Sequence, residues 1–205
     1  MEQSIKTQKT RKNMSARVVA QIGILAAISY LLRFIEVQLP IFPPFLKIDL
    51  SDVVAVFGGL SMGPVPGFII VVVKNVLQAM SGSTTGGVGE IANILIAGPY
   101  VLMISIFYKR VKNYKSVLIG AVLGTIAMAI VGAVVDYFIV FPLYAKLMIP
   151  MDVIIGMGTV LNPRVTDLFS FMIWLVVPFN IVKGAIMTVV ILPLYKKVEK
   201  VLAIK

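Results

Sequence analysis

Pro178-Phe179-Asn180-Ile181-Val182-Lys183-Gly184 lies in the last long apolar run of the chain. Asn180 and Lys183 are spaced i,i+3, so a helix sets an amide and an ammonium on one face. An ionisable side chain within a membrane span is costly and usually faces a cavity or the bundle interior. Pro178 suits the first turn of a helix, where its missing N–H is no loss. Lys183 then lies about 8 Å along the axis from the helix start, shallow enough for a pocket open to one membrane face. A start near Leu168 would instead make Pro178 a kink and carry Lys183 past the midplane. The first arrangement is preferred, because Pro178 to Tyr195 alone gives about 27 Å of helix, nearly a full bilayer core.

The remaining residues agree on a membrane setting. With 59% apolar and 14% charged residues and a mean hydropathy of +0.99, the chain is too apolar for a soluble domain of 205 residues. The apolar runs are continuous, which excludes a membrane barrel with its period-two strands. The expected fold is therefore all-α and polytopic. A net charge of +10 raises the question of nucleic acid. The basic residues, however, sit in short flanks beside apolar spans, a pattern that orients a membrane protein and meets anionic lipid. Nucleic acid is accordingly excluded as a partner and membrane lipid expected. Cysteine is absent, which removes disulfides and thiol chemistry, and so is histidine, the commonest metal ligand and general base. No metal site is expected. The first apolar run is long enough to span and carries no cleavage site after a short core, so it is not a cleavable signal.

Residues 1–15 read as a basic cytoplasmic tail, residues 16–197 as the membrane domain and residues 198–205 as a second cytoplasmic tail. The first span is expected from Ala16 to Ile35. A loop with Pro40, Pro43 and Pro44 follows, too rich in proline for a helix and too apolar for a solvated linker, and it reads as a cap. Further spans are expected at Asp49 to Met62, Pro64 to Met80, Glu90 to Phe107, Val117 to Phe141 and Pro178 to Tyr195. Ser81 to Gly89, with four glycines and no charge, reads as a flexible outer turn. Leu143 to Val177 reads as a large connector, with Thr166 to Val177 a helix lying at the outer surface. Lys109, Arg110, Lys112 and Lys115 fall on the same side as both termini only if there are six spans. The positive-inside rule then sets both termini in the cytoplasm. No internal repeat is visible.

The polar groups within the spans converge. Asp136 is about 9 Å along the axis from Pro142, near the outer end of the fifth span, at a depth like that of Lys183. Glu90 opens the fourth span from the same side, with Asn93 one turn below. Asp136, Asn93, Asn180 and Lys183 thus share one layer. Tyr137, Tyr144, Phe141 and Phe179 stand near it, and Phe45 and Leu46 reach it from the proline loop. Aromatic walls with a few convergent polar groups describe a small-molecule pocket. A structural Asp136–Lys183 ion pair is the competing reading; the pocket is preferred, because charges without a task are expensive in a span. Lys74 is expected to be tied to one of the carboxylates Asp49 or Asp52, which with Ser51 cap the second span. Ala16, Ala20, Gly23 and Ala27 form a stripe of small residues on the first span, suited either to docking another helix or to packing inside this bundle.

No phosphate loop ending in Lys-Ser/Thr occurs, so the chain cannot energise transport with ATP by itself. No zinc-protease or serine-elbow motif occurs either.

Four blocks, taken together and in order, resemble the riboflavin-specific S-components (RibU type) of energy-coupling factor (ECF) transporters. They are Pro43-Pro44-Phe45-Leu46-Lys47-Ile48-Asp49-Leu50-Ser51-Asp52, Gly82-Ser83-Thr84-Thr85-Gly86-Gly87-Val88-Gly89-Glu90, Phe141-Pro142-Leu143-Tyr144 and Pro178 to Gly184. The resemblance runs from about Ala16 to Lys197. It implies a six-helix capture subunit in the cytoplasmic membrane of a prokaryote, not an enzyme. It also implies an outward pocket for riboflavin or FMN closed by the loop after the first span. The flavin enters as transported substrate, and no resident cofactor is expected. Docking through Ala20, Gly23 and Ala27 to a transmembrane coupling protein that carries two ATPases is implied as well, as are Asn180 and Lys183 as contacts to the flavin ring. Asp136 stands where an asparagine is expected in relatives; a carboxylate accepts hydrogen bonds but cannot donate them. The alternatives are an S-component for pantothenate, thiamine or folate, an intramembrane enzyme using Asp136 with Glu90, or a channel.

Overall fold

The computed structural model describes residues 14–202, with side chains as far as Lys197. The tail expected at 1–15 lies outside them up to Asn13, and the tail expected at 198–205 is helical backbone as far as Leu202.

The chain opens with α1 (Ala16–Leu32), capped by the Ser15 side chain, which accepts from the Val18 N–H. Two three-residue strands follow, β1 (Glu36–Gln38) and β2 (Lys47–Asp49), antiparallel with Glu36 opposite Asp49. The proline loop is the tip of this hairpin, so a strictly all-helical fold is corrected by one small ribbon. Its prolines exclude helix, but turns closed by Phe42 N–H to Leu39 and Leu46 N–H to Pro43 are compatible with them. Next come α2 (Ser51–Met62), α3 (Pro64–Gly82) and α4 (Val88–Val111). Only Gly63 separates α2 from α3; its φ of 102° is the left-handed backbone that glycine tolerates, and Pro64 then starts α3 without wasting a donor.

The fifth segment is α5 (Tyr114–Val135), started by a capping box between Asn113 and Ser116. It runs through a π turn at Asp136–Val140 into α6 (Phe141–Leu147) without leaving the helical path. After α7 (Met151–Leu161), the last column begins at α8 (Leu168–Phe171), passes a second π turn at Met172–Val176 and continues as α9 (Val177–Leu202). Three expectations change here. The fifth segment does not end at Phe141. Residues 168–176 are the top of the last column rather than a separate surface helix. Pro178 is not a helix start, because the column begins at Leu168.

One physical reason covers all three. Each proline stands two residues after a π turn, where the N–H of Phe141 reaches Asp136 and that of Val177 reaches Met172. Proline in a regular helix removes one bond and its ring strikes the carbonyl four residues back. Widening the preceding turn to i→i+5 accommodates the ring, and the helix continues with a local bend.

Among the described residues four helical segments are long and apolar enough to cross a membrane: Pro64–Gly82, Val88–Val111, Tyr114–Leu147 and Leu168–Lys197. Ala16–Leu32, Ser51–Met62 and Met151–Leu161 are shorter apolar helices. Glycine lets the columns approach closely: a Cβ on Gly120 of α5 would sit 2.7 Å from the Ile104 Cα of α4, and one on Gly67 of α3 2.7 Å from the Gly59 Cα of α2. Among the described residues the apolar interior has two clusters. One, around Val56, Ile70, Tyr100, Met128 and Ile191, fills the bundle. The other, around Phe42, Phe141, Phe171, Val176 and Phe179, lies beneath the hairpin and gathers residues from both π-turn columns.

Candidate functional site

A cavity of about 440 Å³ opens at the hairpin end of the bundle. That volume lies within the roughly 300–1,000 Å³ of small-molecule sites. Its polar wall comes from the two columns with π turns and from α4: Asp136, Asn180 and Lys183, with Asn93 across from them. Its apolar wall is Phe141, Tyr144 and Phe179, and Phe45 and Leu46 descend from the hairpin loop. All nine residues singled out in the sequence for substrate contact therefore line one cavity.

Aromatic packing sets the wall. Phe45 stands edge-on to Phe141 at 5.8 Å between centroids and stacks on Phe171 at 6.3 Å. Phe42, not expected in the site, packs edge-on against Phe179 at 5.3 Å. The loop is thereby held over the cavity by two phenylalanines seated among rings of the helices.

The polar groups are placed by identifiable devices. The Asn180 side-chain amide donates one N–H to the Val176 carbonyl at 3.0 Å, which leaves its oxygen and its second N–H for a ligand. Gly132 of α5 makes room for that amide; a Cβ there would approach Nδ2 to 2.7 Å. The Asn93 Oδ1 is buried without a hydrogen-bond partner among the described residues. Lys183 is 7% exposed and its nearest carboxylate is Asp52, 3.7 Å from Nζ. No ion pair joins it to Asp136, so a structural Asp136–Lys183 bridge is not what the fold uses.

The acidic residues at the start of α2 do more than cap it. Asp49 accepts the Ser51 N–H at 2.9 Å, as a cap would, and also meets Arg33 at 3.4 Å. Asp52 is fully buried and bonds Lys74 at 2.5 Å, while Lys74 also donates to the Ser51 hydroxyl. The expected tie of Lys74 to a carboxylate is present. The carboxylate is Asp52, which serves as a counter-charge rather than as a helix cap.

The glycine-rich turn is organised, not slack. Ser83 accepts from the N–H groups of Thr85 and Gly87 and donates to Glu90 at 2.8 Å; Thr85 donates to the same carboxylate oxygen at 3.0 Å. Gly86 and Gly87 take the positive φ values of 59° and 89° that let the turn close on Glu90. Thr84, Thr85 and Gly89 reach the cavity as a result. Glu90 is thereby tied into the turn through one carboxylate oxygen.

The family model described as "ECF transporter, substrate-specific component" matches residues 17–195. The chain belongs to this family. Such an S-component is the substrate-binding part of a transporter and not an enzyme. Among its relatives, "Riboflavin transporter RibU" of Staphylococcus aureus (strain TCH60) is 30% identical over 195 residues, covering 95% of this chain and 96% of its own. "Riboflavin transporter FmnP" of Bacillus subtilis (strain 168) is 28% identical over 190 residues, covering 91% and 94%. A solved structure titled "Structure and mechanism of the S component of a bacterial ECF transporter" matches with a TM-score of 0.71 and 32% identity, covering 91% of this chain and 98% of that one.

In this S-component the small-residue stripe of α1 faces outward. Ala20, Gly23 and Ala27 are exposed, while Ile22, Ala26 and Ser29 form the buried face, and a Cβ on Gly23 would meet nothing within 4 Å. The alternative of internal packing is therefore not how α1 sits. Arg33, Glu36 and Lys47 at the cavity mouth were not singled out in the sequence. Glu36 and Lys47 pair across the hairpin, a cross-strand contact that only the β register reveals.

Proposed function

We propose that this chain captures riboflavin in the hairpin-end cavity and presents it to an ECF transport complex. The observation that carries the reading is one cavity combining aromatic walls with Asn180, Lys183 and Asp136, in a chain whose relatives are named as riboflavin transporters. The flat flavin tricycle suits Phe45, Phe141, Tyr144 and Phe179. Its pyrimidine edge, with carbonyls and an N–H, suits the Lys183 ammonium and the Asn180 oxygen, and the ribityl hydroxyls suit Asp136. The membrane domain crosses the cytoplasmic membrane six times, with α1 and α2 as the two short crossings and both termini inside. Lys109, Arg110, Lys112 and Lys115 lie at the end opposite the cavity, in keeping with the positive-inside rule, so the cavity faces outward. The exposed stripe at Ala20, Gly23 and Ala27 is the contact for a membrane-embedded coupling protein bearing two ATPases, since the chain carries no nucleotide motif of its own.

The test is direct. The protein is purified in detergent, its visible spectrum is recorded, and any ligand-free fraction is titrated with riboflavin while flavin fluorescence is followed. A yellow preparation or saturable quenching is expected. A colourless protein that leaves riboflavin fluorescence unchanged overturns the substrate assignment and directs the titration to pantothenate, thiamine and folate.

A further inference from the structure

The cavity floor rests on a charge that it does not itself contain. Asp52 and Lys74 are both 0% exposed, and neither lines the cavity. Oδ1 of Asp52 is taken by Lys74 at 2.5 Å. Its Oδ2 is buried with no hydrogen bond among the described residues, yet lies 3.7 Å from Nζ of Lys183, which does line the cavity. The Lys183 ammonium in turn makes no hydrogen bond within the protein among the described residues. At 3.7 Å the two are close enough for strong attraction in a dry interior and too far apart for a hydrogen bond.

We propose that Asp52 is a positioning residue for substrate capture: it holds the Lys183 ammonium at the cavity wall by charge alone, so the lysine donors stay free for the ligand. Lys74 fixes Asp52, and the Ser51 hydroxyl, which accepts from Lys74, fixes Lys74. A direct Asp52–Lys183 hydrogen bond would have used a donor that the ligand needs, whereas an absent carboxylate would leave the ammonium free to turn away from the wall. The arrangement gives Lys183 a counter-charge while keeping its hydrogen-bonding capacity for the pyrimidine carbonyls of a flavin. The inference rests on the riboflavin reading above.

A double-mutant cycle on riboflavin affinity tests it, with wild type, Asp52→Asn, Lys183→Ala and the double variant titrated by flavin quenching. Asp52→Asn is expected to weaken binding about tenfold in the wild-type background and less than about twofold when Lys183 is already alanine. Equal weakening in both backgrounds would mean Asp52 acts on the fold in general, and the inference fails while the riboflavin reading stands. If wild type does not quench flavin, the substrate reading fails and the inference with it. Should Asp52→Asn not fold, because Lys74 is left buried and unpaired, Asp52→Asn/Lys74→Gln removes both charges and takes its place in the cycle. Asp52→Glu, which keeps the carboxylate, is expected to bind more tightly than Asp52→Asn; no recovery would count against positioning.

Discussion

At the scale of residues, Asn180 and Lys183 are the most exposed to test. Lys183→Ala removes a charged donor and is expected to weaken riboflavin binding about tenfold to a hundredfold, and Asn180→Ala by somewhat less, as for neutral against charged hydrogen bonds. Quenching titrations read both, with circular dichroism checking that the helices persist; unchanged affinity in both variants would remove the pair from the site. Gly132→Ala is a subtler probe. Its new methyl would lie 2.7 Å from the Asn180 amide, which must swing off its Val176 carbonyl. Because a side-chain end gives way rather than backbone, affinity is expected to fall while thermal stability changes little. Asn180 and Lys183 were legible in the sequence for a simple reason. A charge in an apolar run announces itself, and a helical spacing says which neighbour shares its face. Their partners were less legible. Asp52 meets Lys74 across 22 positions, and the choice of Asp52 over Asp136 as the carboxylate beside Lys183 depends on how α2 and α9 pack, which no local pattern encodes.

At the scale of elements, α1 stands apart. Its exposed face of small residues has no partner among the described residues, whereas Ser29 anchors the other face through a 2.7 Å bond to the Ser51 carbonyl. Ala20→Trp or Ala27→Trp should therefore leave riboflavin capture intact and abolish uptake by cells, because the bulk falls only on the proposed coupling contact. Retained uptake would show that another surface docks. The helical columns were legible from hydropathy, but their ends were not. Pro142 and Pro178 read as boundaries in sequence because proline usually ends or starts a helix. The π turns before them carry the columns through instead, and nothing in the composition of Asp136–Val140 or Met172–Val176 signals a wider turn. The hairpin was hidden for a similar reason, since strands of three residues are too short to show alternation.

At the scale of the whole molecule, the fold separates its tasks along one axis. The cavity, the hairpin and the glycine-rich turn occupy one end; Lys109, Lys112 and the close of α2 occupy the other. The absence of cysteine makes this axis measurable with single introduced thiols. In intact spheroplasts, a membrane-impermeant maleimide is expected to label Ser81→Cys and to spare Lys115→Cys until the membrane is permeabilised. The reverse pattern would invert the proposed orientation.

The two π turns carry a further consequence. Each holds one residue more than an α repeat would place there, at the level where the cavity wall is built. A turn of this kind takes up its extra residue with little change of phase, so deleting Ile139 would let the ladder close as an ordinary helix with Phe141 and Tyr144 still near their present azimuth. The cost falls on Pro142, whose ring would then strike the carbonyl four residues back. The added residue is a slack link in the rod: it lets a proline stand beside the cavity while both halves of the column keep their register.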